Sequence, residues 1–204
     1  MNKPSLRDIK REETSKALAS AAFELAVERG LDGFIIDDLV QRAGYSRKTF
    51  ANHFSCKEEA IAMAAILTTY NDEDASFNEV TQENILPLEA LYILIKKSLT
   101  TAYVSKMRQL VSLSRQYPTL EPYLLSVLSR LQAAAQETLT DLSQERYPKG
   151  YSHLLSGAVY GAVLAIFDGS INVLLPGEKG MNSPGEITLD QYLDDMFKYL
   201  RTGF

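Results

Sequence analysis

The chain has 204 residues, 46% of them hydrophobic and 23% charged, with a formal net charge of -5. These values are typical of a globular protein, and they exclude a disordered chain and a protein that coats nucleic acid indiscriminately. Cys56 is the only cysteine, which excludes an internal disulfide and a cysteine-based metal cluster, and two histidines cannot form a three-histidine site. We therefore predict no metal ion and no other cofactor.

The apolar segments of the sequence indicate where in the cell the protein is found. Residues 1–16 are strongly charged and contain no apolar segment of the kind that secretory signals carry. The apolar run from Leu154 to Phe167 is too short to span a bilayer, and Asp168 follows it directly. We therefore expect a cytoplasmic protein without a membrane partner.

Helical spacing of apolar residues dominates the chain, and no segment alternates as a strand would. A first helix is predicted over residues 7–29, with Gly30 as its stop. A second helix ends at Gly44, and Ser46 caps a third, short helix that runs to Phe54. Two helices joined by a three-residue turn that contains glycine are typical of a helix-turn-helix.

The rest of the chain continues as helices. A capping box over residues 55–58 opens a fourth helix, which runs toward Tyr70 before the acidic, polar stretch 71–84. Proline and glycine then separate further predicted helices over residues 87–104, 105–116, 120–146, 151–175 and 189–201, with a loop at 176–185. The sequence therefore predicts an all-α protein of about nine helices.

Two helix starts carry cations, although the first turn of a helix disfavours positive charge by roughly 0.3–1 kcal/mol. Arg47 and Lys48 follow the Ser46 cap, and Lys57 lies at the start of the next helix. A nearby polyanion would reverse the sign of this effect, since phosphates bind both the helix N–H groups and the side chains. Each cation alone could also be an ordinary solvated charge, with Glu58 and Glu59 neutralising Lys57.

The third helix has a clear inner face. Phe50 and Phe54 are four residues apart and should anchor it on the first two helices. The side chains that remain outside are those of Arg47, Lys48, Ala51 and Asn52. Arginine can bind guanine and asparagine can bind adenine through paired hydrogen bonds, so this face is predicted to enter the DNA major groove.

Residues 14–60 resemble the TetR-type (TetR/AcrR) bacterial transcriptional regulators. The motifs that carry the resemblance are Glu28-Arg29-Gly30, Ala43-Gly44 and above all "YSRKTFANHFSCKEEA". The resemblance implies base contacts by Arg47, Lys48 and Asn52, and phosphate contacts by Thr14, Thr49, His53 and Lys57. It also implies a helix-turn-helix DNA-binding domain over residues 1–56 and a helical ligand-binding and dimerisation domain over 57–204.

The chain departs from that family at two places. A tyrosine commonly follows the Thr-Phe pair and contacts a phosphate, whereas this chain has Ala51, which leaves Tyr45 as a partial substitute. A threonine commonly caps the second helix, whereas Phe34 and Ile35 stand here, which should weaken that helix end by about 1 kcal/mol.

A homodimer is expected, because one short recognition helix contacts too few bases and operators are usually read by two-fold dimers. The resemblance implies an interface on the last two helices, and the candidate residues are Leu155, Ala158, Val159, Ala162, Leu193, Met196, Phe197 and Leu200. It also implies an unidentified small-molecule inducer, with candidate contacts at Tyr103, Met107, Tyr123, Tyr160, Phe167 and Asp168. All of these could equally be core residues, and Asp168 could lie in a solvent-facing turn.

The predicted function is therefore a sequence-specific DNA-binding transcriptional regulator, a repressor released from its operator by a small molecule. The alternative is a helical small-molecule-binding protein or enzyme without DNA binding, and a third possibility is an activator or adaptor of the same fold. No Ser/His/Asp arrangement, Gly-rich phosphate loop or convincing carboxylate pair is present, so we predict no enzymatic activity.

Overall fold

The computed structural model describes residues 5–67, 85–143, 147–148, 150–178 and 187–203. Within these ranges the α-helices are α1 Leu6–Arg29, α2 Ile36–Ala43, α3 Arg47–Ala51, α4 Lys57–Leu67, α5 Pro87–Ser98, α6 Thr101–Gln116, α7 Glu121–Ser143, α8 Tyr151–Phe167 and α9 Leu189–Thr202. The all-α prediction is confirmed. The continuation of the fourth helix to Tyr70, the polar stretch 71–84, the end of the predicted helix 120–146 and part of the loop 176–185 lie outside the described residues.

Two strands of two residues each were not predicted. Strand β1, Val173–Leu174, pairs in parallel with β2, Ile187–Thr188, and β2 leads directly into α9. Two residues are too few to show the alternation by which a strand is detected in a sequence. None of the helices in the described ranges combines the length and hydropathy that a membrane span requires.

The chain divides into two compact units. Unit 1 comprises Met1–Asn71 and Gln109–Leu128, and unit 2 comprises Asp72–Arg108 and Ser129–Phe204. Both α6 and α7 therefore contribute residues to each unit. The functional division after residue 56 stays a prediction.

Unit 1 is built on the packing of α1 against α4. Leu18 and Leu25 of α1 are buried, as are Ala60, Ile61 and Ala64 of α4. The small side chains of α4 let the two helix backbones approach closely, and the larger ones fill the space between them.

Gly30 ends α1 in a conformation that requires glycine. Its φ is +73° and its N–H donates to the Ala26 carbonyl at 2.9 Å. A Cβ at this position would overlap the hydroxyl of Tyr117, which follows α6. The end of α1 is therefore fitted against this residue of unit 1.

Unit 2 packs α9 against α5 and fixes the end of α8. The rings of Tyr92 and Phe197 meet edge to face with centroids 5.0 Å apart, and Tyr92 Oη donates to Asp194 at 2.7 Å. Arg108 of α6 donates from Nε to the Ile166 carbonyl at 3.1 Å, and from Nη2 to the carbonyl of Val173 in β1 at 3.0 Å. Arg108 thus ties the end of α8 to the short sheet.

Candidate nucleic-acid interface

The turn between α2 and α3 is fixed by backbone hydrogen bonds. Gly44 adopts a left-handed conformation with φ +75°, and its N–H donates to the Val40 carbonyl. The Tyr45 N–H donates to the same carbonyl at 2.9 Å. Ser46 then starts α3, because its Oγ accepts the N–H of Thr49 at 3.1 Å. The predicted cap and the predicted glycine stop are both confirmed.

Helix α3 is anchored through one face, as predicted. Phe50 and Phe54 are buried, with ring centroids 5.8 Å apart. The opposite face, formed by Arg47, Lys48, Ala51 and Asn52, is exposed. The structure therefore presents the predicted base-contacting side chains together on one free surface of unit 1.

Arg47 is not an unpartnered cation. Its Nε and Nη2 donate to the two carboxylate oxygens of Asp37, the latter at 2.7 Å, and this pairing raises the pKa of Arg47. Asp37 is in the first turn of α2, where the helix dipole favours a carboxylate. The expectation that the cation must be balanced from outside is therefore wrong for Arg47, whereas none of the described residues pairs with Lys48.

Lys57 also has partners within its own fold. Its Nζ donates to the carbonyls of Leu31 and Phe34, the latter at 3.1 Å, and lies 4.9 Å from the centroid of the Phe34 ring. These carbonyls follow α1, at the turn Leu31–Gly33 and just after it. The cation at the start of α4 is thus balanced by backbone oxygens, and its predicted dependence on a polyanion is wrong.

The cap of α4 differs by one residue from the predicted capping box. The helix begins at Lys57, and the carboxylate that accepts from Ser55 is that of Glu59, at 2.6 Å from the backbone N and 2.7 Å from Oγ. The N–H of Glu59 in turn lies 3.4 Å from the Cys56 sulfur. Because Cys56 occupies the cap position, Glu59 rather than Glu58 is the third helical residue.

The start of α2 is less weakened than its sequence suggested. The apolar side chain of Ile35 cannot cap the helix, but the carboxylate of Asp38 accepts the Ile35 N–H at 2.9 Å. This is the reciprocal half of a capping box, supplied from inside the helix. Asp37 and Asp38 thus both have specific partners that their first-turn position alone did not reveal.

The two predicted phosphate-binding threonines already form local hydrogen bonds. Thr14 Oγ1 donates to the Lys10 carbonyl at 2.8 Å, and Thr49 Oγ1 lies 2.9 Å from Ser46 Oγ. A hydroxyl can rotate its single proton toward a different acceptor. Tyr45 is 37% exposed at the start of the turn before α3.

His53 links the end of the α3 region to α1. Its Nδ1 lies 2.7 Å from Ser15 Oγ, and that hydroxyl lies 3.0 Å from the Arg11 carbonyl oxygen. The Ser15 hydroxyl has one proton: if it goes to the Arg11 carbonyl, Nδ1 donates to Ser15, and if it goes to Nδ1, the proton of the neutral ring is on Nε2. Burial, and the charge of Arg11 second, lower the pKa of His53. A phosphate contact through Nε2 needs a proton on that nitrogen, which the Nε2–H tautomer and the protonated ring both have.

The candidate ligand-contacting residues do not all lie in the same part of the structure. In unit 2, the rings of Tyr103 and Phe167 meet edge to face at 5.9 Å, and Met107 is fully buried one turn after Tyr103. Tyr160 is half-buried, and burial raises its pKa. Tyr123 belongs to unit 1 instead.

Two of the polar candidates have local roles. The neighbouring Cys56 thiol raises the pKa of Tyr123. Asp168 ends α8 and accepts the Ser170 N–H at 2.8 Å. It therefore lies in a turn, which the sequence analysis gave as the alternative to a ligand contact.

Most of the predicted interface residues are core residues of unit 2. The side chains buried there are those of Leu155, Val159, Leu193, Met196 and Phe197, which therefore offer little surface to a second copy. Ala162 and Leu200 are half-buried, and Ala158 is exposed. Leu154 of the same helix is 78% exposed. Periodicity showed the apolar residues of α8 and α9 but not which face each helix turns inward.

Comparison with known proteins agrees with this geometry. Residues 18–62, from within α1 to within α4, match the sequence model of a family described as bacterial regulatory proteins, tetR family. A solved protein from Mesorhizobium loti MAFF303099, assigned to the TetR-family transcriptional regulators, has a TM-score of 0.54 at 17% identity, over 93% of this chain and 95% of its own. No curated protein matches the chain. Residues 18–62, which contain the helix-turn-helix and the exposed α3, therefore match the tetR family of bacterial regulatory proteins, and the chain as a whole has a fold similar to that of the Mesorhizobium loti protein.

Proposed function

We propose that the protein is a repressor that binds operator DNA as a homodimer and releases it when a small molecule binds to the helical body. The observation that carries the proposal is the exposed face of α3. Lys48 and Asn52 have free side chains there among the described residues, and the Phe50 and Phe54 rings hold the opposite face. A rigidly held helix with a polar, cationic outer face fits the major groove.

In this proposal the contacts divide into two kinds. Arg47, Lys48 and Asn52 reach base edges, which determine sequence preference. The residues proposed to bind phosphates and fix the position of the helix are Thr14, Tyr45, Thr49 and His53. Lys57 is left out of this set, because its ammonium group is bonded to two backbone carbonyls.

The homodimer is proposed to form through the exposed side of α8. Leu154, Ala158 and Gly161 are exposed and follow one another at spacings of four and three residues, which places them on one face. Apart from the backbone of α8 itself, no atom of the described residues lies within 4 Å of a Cβ built on Gly161, so a second helix could approach closely there. This stripe replaces the buried residues of the predicted interface.

The proposed ligand site is the aromatic cluster of Tyr103 and Phe167, with Met107 beside it. Apolar walls with a single hydroxyl suit a small, largely hydrophobic compound. Both α6 and α7 continue from unit 2 into unit 1, where Tyr117 fits against Gly30 and the Pro118–Leu120 turn contacts α4. A ligand that shifted α6 could therefore change the population of the DNA-binding arrangement.

DNA binding is tested with the purified full-length chain and a library of random duplexes. We expect selected duplexes to bind with an affinity that falls steeply with salt, as phosphate contacts require. The double variant Arg47→Ala, Lys48→Ala should lose this binding and keep its melting temperature, while Lys198→Ala, at an exposed position of α9, should bind normally. A wild-type protein without salt-dependent duplex binding would favour the carrier or enzyme alternative.

Repression and dimerisation need separate measurements. A selected duplex placed over a promoter should reduce reporter transcription when the protein is present, and an increase would indicate an activator. In sedimentation, Leu154→Glu should convert a dimer to a monomer, whereas Leu125→Glu, at another exposed leucine on α7, should not. For the ligand step, a panel of small aromatic compounds is added to the complex, and release of DNA that Phe167→Ala abolishes would support the site.

A further inference from the structure

Two arginines of unit 1 pair with carboxylates through different edges of the guanidinium group. Arg42, at the end of α2, donates from Nη1 and Nη2 to Glu28 at 2.8 and 2.7 Å, so its end edge is occupied. Arg47 donates from Nε and Nη2 to Asp37, so its side edge is occupied. Both pairs are exposed at the surface.

The difference determines what each arginine can still bind. A guanidinium has five N–H bonds in a fixed plane, and an end-on pair uses one from each terminal nitrogen. The end edge of Arg42, which presents two parallel donors, is therefore occupied by Glu28. Arg47 keeps both Nη1 protons and the outer Nη2 proton, and the outer Nη2 proton forms that edge together with the neighbouring Nη1 proton. Two parallel donors are what the O6 and N7 atoms of guanine accept in the major groove.

We propose that Asp37 is a positioning residue for base selection: it holds the guanidinium of Arg47 by its side edge so that the end edge selects guanine in the operator. This inference rests on the proposed function, in which the exposed face of α3 enters the major groove. An arginine held in a fixed orientation loses less freedom when it binds than a freely rotating one.

The carboxylate of Asp37 has a second effect, which makes the proposal testable. It is 55% exposed and lies on the surface that faces DNA in this arrangement, so it repels phosphates and weakens binding to every sequence. Asp37 therefore lowers overall affinity while it raises the preference for one base. Specificity is often gained through such unfavourable elements.

The experiment selects duplexes from a random library with purified full-length protein and compares base preference position by position. We expect one position per half-site to be guanine in the wild type and to lose that preference in Arg47→Ala, by about 5- to 150-fold, which corresponds to about 1–3 kcal/mol for a bidentate contact. Asp37→Asn should weaken the same preference at that position and strengthen binding to unrelated duplexes. Arg47→Lys, which keeps the charge without the fork, should also lose the preference.

Glu28→Gln is the matched control, since it removes one negative charge and the carboxylate of an arginine pair at Arg42. It should leave the guanine preference unchanged. The inference is overturned if Asp37→Asn keeps the full preference, if Glu28→Gln reduces it equally, or if the position governed by Arg47 is not guanine. A wild type that selects no duplex overturns the proposed function as well, so the two failures are distinguishable.

Discussion

Replacing Lys57 by methionine separates a structural role of this side chain from a DNA-contacting one. Methionine keeps the length of the chain and removes the charge. In the folded protein the ammonium group donates to the carbonyls of Leu31 and Phe34 and lies over the Phe34 ring. The variant therefore removes the link between the start of α4 and the segment that follows α1.

The expected loss of stability follows from these contacts. Each hydrogen bond from a charged donor contributes about 1.5–3 kcal/mol when its acceptor is kept from water, and less where water can replace it, as at this half-buried turn. The cation over the ring adds about 0.5–1 kcal/mol. Removing a cation from the first turn of a helix restores about 0.3–1 kcal/mol. We therefore expect Lys57→Met to lower the free energy of unfolding by about 2–4 kcal/mol.

Lys48→Met is the matched control, because Lys48 is exposed and none of the described residues pairs with it. It should leave the urea midpoint, followed by circular dichroism, nearly unchanged, and it should weaken binding to the selected duplex, because Lys48 is proposed to contact bases. Lys57→Met should instead lower the urea midpoint and leave the affinity for the duplex and its salt dependence unchanged. If Lys57→Met kept the wild-type midpoint and lost one unit of salt slope, the assignment of Lys57 to the fold would be refuted.

Three further perturbations test contacts of unit 1. Gly44→Ala should reduce the unfolding free energy measured in urea by about 1–2 kcal/mol, because alanine is strained at a positive φ. Gly30→Ala should reduce it by more, because its Cβ would also overlap the Tyr117 side chain. Glu59→Ala should lose about 1 kcal/mol in the same assay and Glu58→Ala less than about 0.5 kcal/mol, since only Glu59 accepts from the cap. Because the pKa of His53 is lowered in the folded state, the unfolded chain binds more protons below about pH 6.5. Stability should therefore fall as the pH drops through that value toward the folded pKa, and His53→Gln should remove this part of the dependence.

Each of these comparisons has a result that contradicts it. Equal losses for the two glycine variants would mean that the close approach at Gly30 contributes nothing. Equal losses of unfolding free energy for Glu58→Ala and Glu59→Ala would show that Glu59 has no special role in the cap of α4. An unchanged pH profile in His53→Gln would show that its protonation is not coupled to folding.

The features predicted correctly from the sequence depend on nearby residues. The Ser46 cap, the glycine stop at Gly44 and the inward side of Phe50 and Phe54 all follow from spacings of four residues or fewer. Local chemistry is sufficient there, because a helix start and its buried face are set within one turn.

The features missed depend on contacts between distant parts of the chain. Lys57 bonds to carbonyls 23 and 26 residues away, and Arg47 pairs with a carboxylate ten residues before it. A count of charges along the sequence cannot show such partners. The burial of the dimer candidates Leu193 and Phe197 in their own unit was not foreseen for a related reason, since an apolar stripe looks the same in a sequence whether it faces its own chain or another.

Helix α3 has five residues, which is far below the length at which an isolated helix persists in water. Its shape is supplied by the packing of Phe50 and Phe54 and by the hydrogen bond between His53 and Ser15. A synthetic peptide with only these residues should be structureless and indifferent to base sequence. The ability to read DNA is therefore a property of the packed unit, and heat or denaturant that loosens α1 should abolish it while much of the helical signal from other parts of the chain persists.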